Sequence, residues 1–415
     1  MNSPGMVVRP FSDLTVLECG SGVIAPYCAK LILGLGARVI KVEEPHTGDE
    51  SRRRGPYWND EPTADGSGLF QYLNAGKEGI TLDLSSSQGN AILRRLAAIC
   101  DVVVADKPLA EAQTMGLDWA TLKEINPSLV LLTITPFGLD GPMSSWKATD
   151  LTLYHMAGLA YATPGLVENP ETDAPLRGGS YQASFASGLG AAINLSAALL
   201  LKLPESRASE GFQIDFSSYE ALVSILGQNI ASYSFHGAGL NRDIARGSGA
   251  GGLASTRNVR CKDGYVQIHL SGARQWEMFR ELLGDPEWMN DERISSPATR
   301  RRNWPFLKEN LESWTAQYTR HELFFLLQGR KIACGPVSNG GDLLADQGLE
   351  DRNFWVSPLG ASEWMFPKGP FLLSAVDWTE LGAAPALGEH NSQVLCGDLH
   401  LTGQELLELQ GAGVI

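Results

Sequence analysis

Short apolar runs of strand type alternate with helix-spaced apolar residues along the first third of the chain. Leu14 to Glu18 reads as a strand. Pro26 to Leu33 reads as a helix with proline near its start, and Val39 to Val42 as a buried strand after the turn at Gly36. Ile80 to Leu84 and Cys100 to Val104 repeat the strand pattern, and the alternation persists to Phe137-Gly138. Such alternation predicts a parallel sheet covered on both faces, an open Rossmann-like α/β domain. Ligands of these sheets sit outside the carboxyl ends of the strands, where the charged loop from Glu43 through Pro45, Gly48-Asp49 and Arg52 falls.

Farther on the texture changes. Leu189 to Leu201 is apolar and rich in small residues, and is expected to be a buried helix too short to span a bilayer. A polar break at Glu205 to Glu210 follows. After Tyr233 glycines crowd together, and Asp263-Gly264 lies between β-like runs. Trp276 to Leu283 and Phe306 to Trp314 have helical spacing. A large domain over 1–225 and a smaller α+β domain over 226–325 are expected.

Composition narrows the partners. The 415 residues carry a net charge of −14, which argues against nucleic acid, since phosphate binding needs a basic face. The start shows no basic segment leading into an apolar one, so no signal peptide and no membrane partner are expected. The 6 cysteines are scattered without a CxxC pair, which fits reduced thiols in the cytoplasm and suggests no metal site.

The string Gly36-Ala37-Arg38-Val39-Ile40-Lys41-Val42-Glu43-Glu44-Pro45 with Gly48-Asp49 and Arg52 resembles the N-terminal signature of the class III CoA-transferases, the CaiB/BaiF-like group. Further matches follow in that family's order. They are Asn74-Ala75-Gly76-Lys77, Cys100 to Val104, Phe137 to Pro142, Asp150 with Gly158, Glu210 to Asp215, Tyr219 to Leu222, Asp263 to Val266, Cys334 to Val337 and Pro385 to Asn391. The resemblance implies that 326–415 returns to the large domain and that subunits pair as interlocked ring-like dimers. It implies CoA thioesters as substrates and no permanently bound cofactor. It also implies one aspartate as covalent nucleophile, which forms a mixed anhydride and then an aspartyl-CoA thioester.

The family places that aspartate four residues before a glycine opening a helix of small residues. In the frame Gly178 to Gly188 this position holds Ser184. The nearest carboxylates in sequence are Asp173 and Glu205, both outside the motif. An acyl-serine ester is more stable than a thioester, so transfer to Ser184 would stall, and a helix-start serine satisfying backbone amides is the simpler account. Its closest histidine in sequence is His155. The CoA-site positions implied by the resemblance are Val23, Glu44, Asp106 and Lys107. Glu44 replaces an arginine common among relatives and would repel phosphate, whereas Lys107 could contact it. Gly247, Gly249, Gly251 and Gly252 resemble a loop that covers the active site in some relatives. The racemase histidine of the family would precede Asp150, where Thr149 stands. Arg300-Arg301-Arg302 reads as a solvated helix face.

Scaffold kept and nucleophile lost predict one half of a heteromeric enzyme, its partner a paralogous subunit bearing the aspartate. The pattern resembles heteromeric members that move CoA from succinyl-CoA to acids such as benzylsuccinate. An acyl-CoA hydrolase, lyase or racemase of altered chemistry, or a silent CoA-binding protein, are the alternatives.

Overall fold

The computed structural model describes residues 9–163, 167, 169, 171–202, 210–237, 258–270, 272–358, 364–369, 371–374, 376, 378 and 382–415. They fall into two compact units, one of 1–157, 178–225 and 350–415, the other of 158–177 and 226–349.

The first unit is built on β1 (Thr15–Cys19), α1 (Ile24–Gly34), β2 (Arg38–Glu43), α2 (Gly68–Asn74), β3 (Glu78–Thr81), α3 (Ser87–Ile99), β4 (Val102–Ala105), α4 (Leu109–Met115), α5 (Trp119–Ile125) and β5 (Val130–Thr135). α6 (Asp150–Met156), α7 (Gln182–Leu199), β6 (Phe212–Ser217) and α8 (Ser218–Ser224) follow. The six strands pair in parallel in the order β3-β2-β1-β4-β5-β6. That is the Rossmann-like arrangement expected from the alternating pattern, and the order reverses between β1 and β4. Successive side chains point to opposite faces, so each strand feeds two cores. Leu17, Ile40, Val103 and Leu131 face Ile92, Leu93 and Leu96 of α3. Val16, Val39, Val102, Val130 and Leu132 face Ala25, Cys28, Ala29 and Ile32 of α1 and Ala191, Ala192 and Leu195 of α7.

The C-terminal segment shields the sheet edge at β3. His390 donates its backbone N–H to Gly79 O (2.9 Å) while its Nδ1 accepts from Gly79 N (3.1 Å), and Asn391 Oδ1 accepts from Thr81 N (2.8 Å). The Pro385 to Asn391 motif thus satisfies an otherwise bare strand.

The second unit holds α9 (Gly227–His236), β7 (Asn258–Cys261), β8 (Gly264–His269), α10 (Ala273–Leu283), α11 (Pro297–Arg302), α12 (Trp304–Thr315), α13 (Arg320–Gln328), β9 (Ala333–Pro336) and α14 (Gly340–Leu344). Its antiparallel sheet has the order β7-β8-β9. Residues 326–349, expected with the large domain, pack here because β9 completes this sheet on β8. Arg300 corrects the solvated-face expectation: it is buried, its guanidinium stacks 3.6 Å from the Trp276 ring and its Nε donates to Ile294 O. Burial pulls its pKa down to about 10.

α15 (Gln347–Asp351) leads to a two-stranded antiparallel pair, β10 (Trp355–Val356) with β11 (Phe366–Pro367), and α16 (Gly403–Gly411) ends the chain. Two expectations about α7 need revision. It starts at Gln182, seven residues before the apolar run, and with the turn after it (through Lys202) is long and apolar enough by composition to span a bilayer. It is also only partly buried, since Leu189 and Ile193 are exposed, as is Leu200 in the turn after it.

Candidate active site

The signature around β2 folds into a buried ion network under the carboxyl ends of β1 and β2. Lys41 Nζ lies 2.9 Å from Glu18 Oε1 and 2.7 Å from Asp49 Oδ2, and Lys77 Nζ lies 2.6 Å from Glu18 Oε2. Burial works against the Lys41 ammonium, but the carboxylates of Asp49, Glu18 and Glu43 outweigh it and raise its pKa. For Lys77 burial wins, and its pKa falls to about 8. Asp49 is drawn down to about 2, because Lys41 and the Ser51 donors overcome the effect of burial. Beside this cluster Arg52 grips Glu43 with Nε (2.7 Å) and Nη2 (2.8 Å) and donates to Pro385 O. Gly48 (φ +64°) makes the turn, and a Cβ there would sit 2.8 Å from Arg52 Cδ. Lys41, Glu43, Asp49 and Arg52 are therefore spent in buried ion pairs that anchor the loop.

Three of the four implied CoA-site positions gather where the strand order reverses. Asp106 follows β4 and its Oδ2 accepts from Ser21 N (2.7 Å), just past β1. Lys107 Nζ is 3.2 Å from Asp106 Oδ1. Burial raises the Asp106 carboxyl pKa against the pull of Lys107, and Asp106 in turn raises Lys107. Glu44 lies within electrostatic range of Lys107, its pKa raised by burial and by Asp83. Two carboxylates thus neighbour one ammonium that is already paired, a poor surface for phosphate. Val23, at the start of α1, has its side chain buried in an aromatic cluster with Leu69, Leu73, Tyr27, Tyr72, Tyr181 and Phe185. The loop glycines Gly247, Gly249, Gly251 and Gly252 lie outside the described residues.

Ser184 is the third residue of α7 and is 6% exposed. The helix is aimed by a strained entry, with Ser180 (φ +63°) and Tyr181 (φ +53°) both left-handed. Gly188, one turn on, lets α1 close in, since a Cβ there would sit 2.8 Å from Ile24 O. Ser184 donates from N (2.8 Å) and Oγ (2.9 Å) to Oδ1 of Asp150, the first residue of α6. The Asp150 Oδ2 atom is buried and has no hydrogen-bond partner.

The carboxylate beside Ser184 is therefore neither Asp173 nor Glu205. Asp173 accepts from Asn169 N in the second unit, and Glu205 lies outside the described residues. Asp150 escaped sequence reasoning because 34 positions separate the pair, although its place in the family frame was visible. His155 is exposed and bonds its own helix, Nδ1 to Leu151 O at 2.8 Å. Thr149 caps α6 through a reciprocal bond with Thr152. A second group invisible in the sequence is Lys30. It is buried, its Nζ has no hydrogen-bond partner and lies 4.6 Å from the Tyr72 ring centre, and burial lowers its pKa to about 7.

The sequence profile of CoA-transferase family III matches residues 11–391. This chain belongs to that family. It is 30% identical over 405 residues to succinyl-CoA:(R)-benzylsuccinate CoA-transferase subunit BbsE of Thauera aromatica, covering 94% of this chain and 95% of that protein. It is 27% identical to the succinyl-CoA–D-citramalate CoA-transferase of Chloroflexus aurantiacus, covering 98% of each. The crystal structure of a CaiB/BaiF family protein from Brucella suis superposes with a TM-score of 0.82 at 28% identity, covering 94% of this chain and 99% of that one. Family III enzymes handle CoA thioesters as substrates, and no permanent cofactor is part of that chemistry.

Proposed function

We propose that this family III chain is the subunit without the family aspartate in a heteromeric CoA-transferase. Its partner is an aspartate-bearing paralogue that carries turnover. The complex moves CoA from an acyl-CoA donor such as succinyl-CoA to a carboxylic acid such as benzylsuccinate, in the cytoplasm. The observation that carries the reading is Ser184 in the frame that the family gives to its nucleophile. Glu44 and Asp106 at the strand-order reversal support it, because they disfavour the phosphates of CoA. The relative BbsE is itself named as a subunit, and the exposed Leu189 and Ile193 of α7, with Leu200 in the turn after it, suit burial in an assembly.

The test is purification of the chain alone and together with an aspartate-bearing paralogue encoded beside it, followed by assay of CoA transfer from succinyl-CoA. The isolated chain is expected to sustain no turnover and the complex to restore it. Robust turnover by the pure homodimer would defeat the reading.

A further inference from the structure

Lys30 stands outside the ion network around Lys41 and has no part in the nucleophile frame. We propose that its amine is a carbon dioxide site, where dissolved CO2 adds to Nζ and forms a carbamate. The site exists whether or not a paralogous subunit carries turnover.

Lys30 is 6% exposed, and its Nζ has no hydrogen-bond partner among the described residues. The centre of the Tyr72 ring lies 4.6 Å from it and that of Phe366 6.0 Å. Ring faces attract an ammonium but offer no lone pair in the plane, so its N–H groups go unaccepted. Other buried lysines of this unit are used differently: Lys41 and Lys77 both reach Glu18 within 3 Å. The charged group whose field Lys30 feels is Lys77, a second cation. Burial and Lys77 pull its pKa down to about 7, so a large share is free amine at neutral pH. A lysine at the ordinary 10.5 presents about one free amine in three thousand there.

Access favours a small apolar reactant. Tyr27, Tyr72, Phe185 and Phe366 are only part buried, so the cluster meets solvent at its rim. Dissolved CO2 is neutral and enters without the desolvation cost that bars a charged substrate.

The Nζ lone pair attacks the carbon of CO2, one C=O π bond opens onto oxygen, and one amine proton leaves to water. The product is a lysyl carbamate anion, and no oxidant or reductant takes part. Lys77 then attracts the modified side chain where it repelled the ammonium. The cluster also holds a spare donor: Tyr27 and Tyr72 share one hydrogen bond, while two hydroxyls carry two protons.

The titratable groups around Nζ are Tyr27 on α1, Tyr72 on α2 and Lys77 just before β3. Phe185 and Phe366 bring no charge from α7 and β11. Burial raises both phenols, so neither becomes a competing anion. Carbamate occupancy at fixed dissolved CO2 should therefore rise with pH, because the free amine grows and the released proton is drawn off.

The test equilibrates the purified chain with isotope-labelled bicarbonate and reads the carbamate carbon by NMR, apart from the bicarbonate line. A Lys30 line is expected in the wild type, growing with pH, and reduced roughly tenfold or more in Lys30→Met. Methionine suits the apolar cluster, and a melt in CO2-free buffer checks that the variant folds. Terminal and surface amines carbamylate equally in both proteins and calibrate the signal. The melting temperature is expected to rise with dissolved CO2 at constant pH in the wild type alone, since a ligand confined to the folded chain stabilises it. Carbamate lines that coincide in the two proteins overturn the assignment, as does a melting temperature that responds to CO2 equally in both.

Discussion

Lys41 Nζ stands 2.7 Å from Asp49 Oδ2, and both side chains are almost wholly out of solvent. The pair joins β2 to the loop that follows it, and Asp49 Oδ1 also accepts from Gly22 N, so the loop is held against the start of α1. Removing one partner strands a buried charge. Asp49→Ala is expected to cost about 3–5 kcal/mol, read by urea denaturation. The pair also sets an acid limit. Asp49 has a folded pKa of about 2 against an ordinary value of 3.8, so its stabilisation is present above the ordinary value and is lost as pH falls toward 2. The slope of stability between those values should become shallower in Asp49→Ala, with Asp291 and other lowered carboxylates supplying the remainder. A slope that persists unchanged would assign it to other carboxylates.

Lys30 gives the opposite sign. Its folded pKa of about 7 lies below the ordinary 10.5, so between those values the unfolded chain binds the extra proton and stability rises with pH. Lys30→Met should therefore be more stable than wild type, by about 1–4 kcal/mol near neutral pH and below. The gain should shrink as pH approaches 10.5. Melting curves across that range check it, and equal curves would show that the amine finds a partner.

Gly188 sets the approach of α7 to α1. A Cβ there would lie 2.8 Å from Ile24 O and 3.1 Å from Tyr27 Cδ1, and backbone cannot swing aside as a side chain can. Gly188→Ala should cost about 1–3 kcal/mol and should loosen the first turn that presents Ser184. Chemical denaturation measures the first effect and hydrogen exchange of the Ser184 amide the second.

At the strand-order reversal, Asp106 pairs with Lys107, and Glu44 at the end of β2 lies within electrostatic range of it. The double substitution Glu44→Arg with Asp106→Asn should tighten binding of free CoA by roughly tenfold, equivalent to about 1.4 kcal/mol. Asparagine retains the acceptor for Ser21 N, so the loop should hold its shape. Calorimetry with free CoA decides it, and unchanged weak binding would place the nucleotide elsewhere.

Much of this protein is legible in the order of its residues. Runs such as Val102 to Ala105, apolar throughout, and Val130 to Thr135, interrupted only by two threonines, suit a strand covered on both faces, so the parallel sheet follows from pattern alone. Family membership also follows, since ordered motifs survive where a turn, a close contact or a buried charge admits few alternatives.

Other properties needed three dimensions because they join distant residues. Nothing near Ser184 in sequence announces Asp150, nothing marks Lys30 as lacking an anion, and Arg300 looks solvated within its run of three arginines until Trp276 covers it. Periodicity reports which face of an element is buried, because that depends on neighbours a few positions away. Charge pairing and the chemistry of a site depend on which elements meet, and the long crossover from β5 to β6 decides that α6 and α7 meet at Asp150 and Ser184.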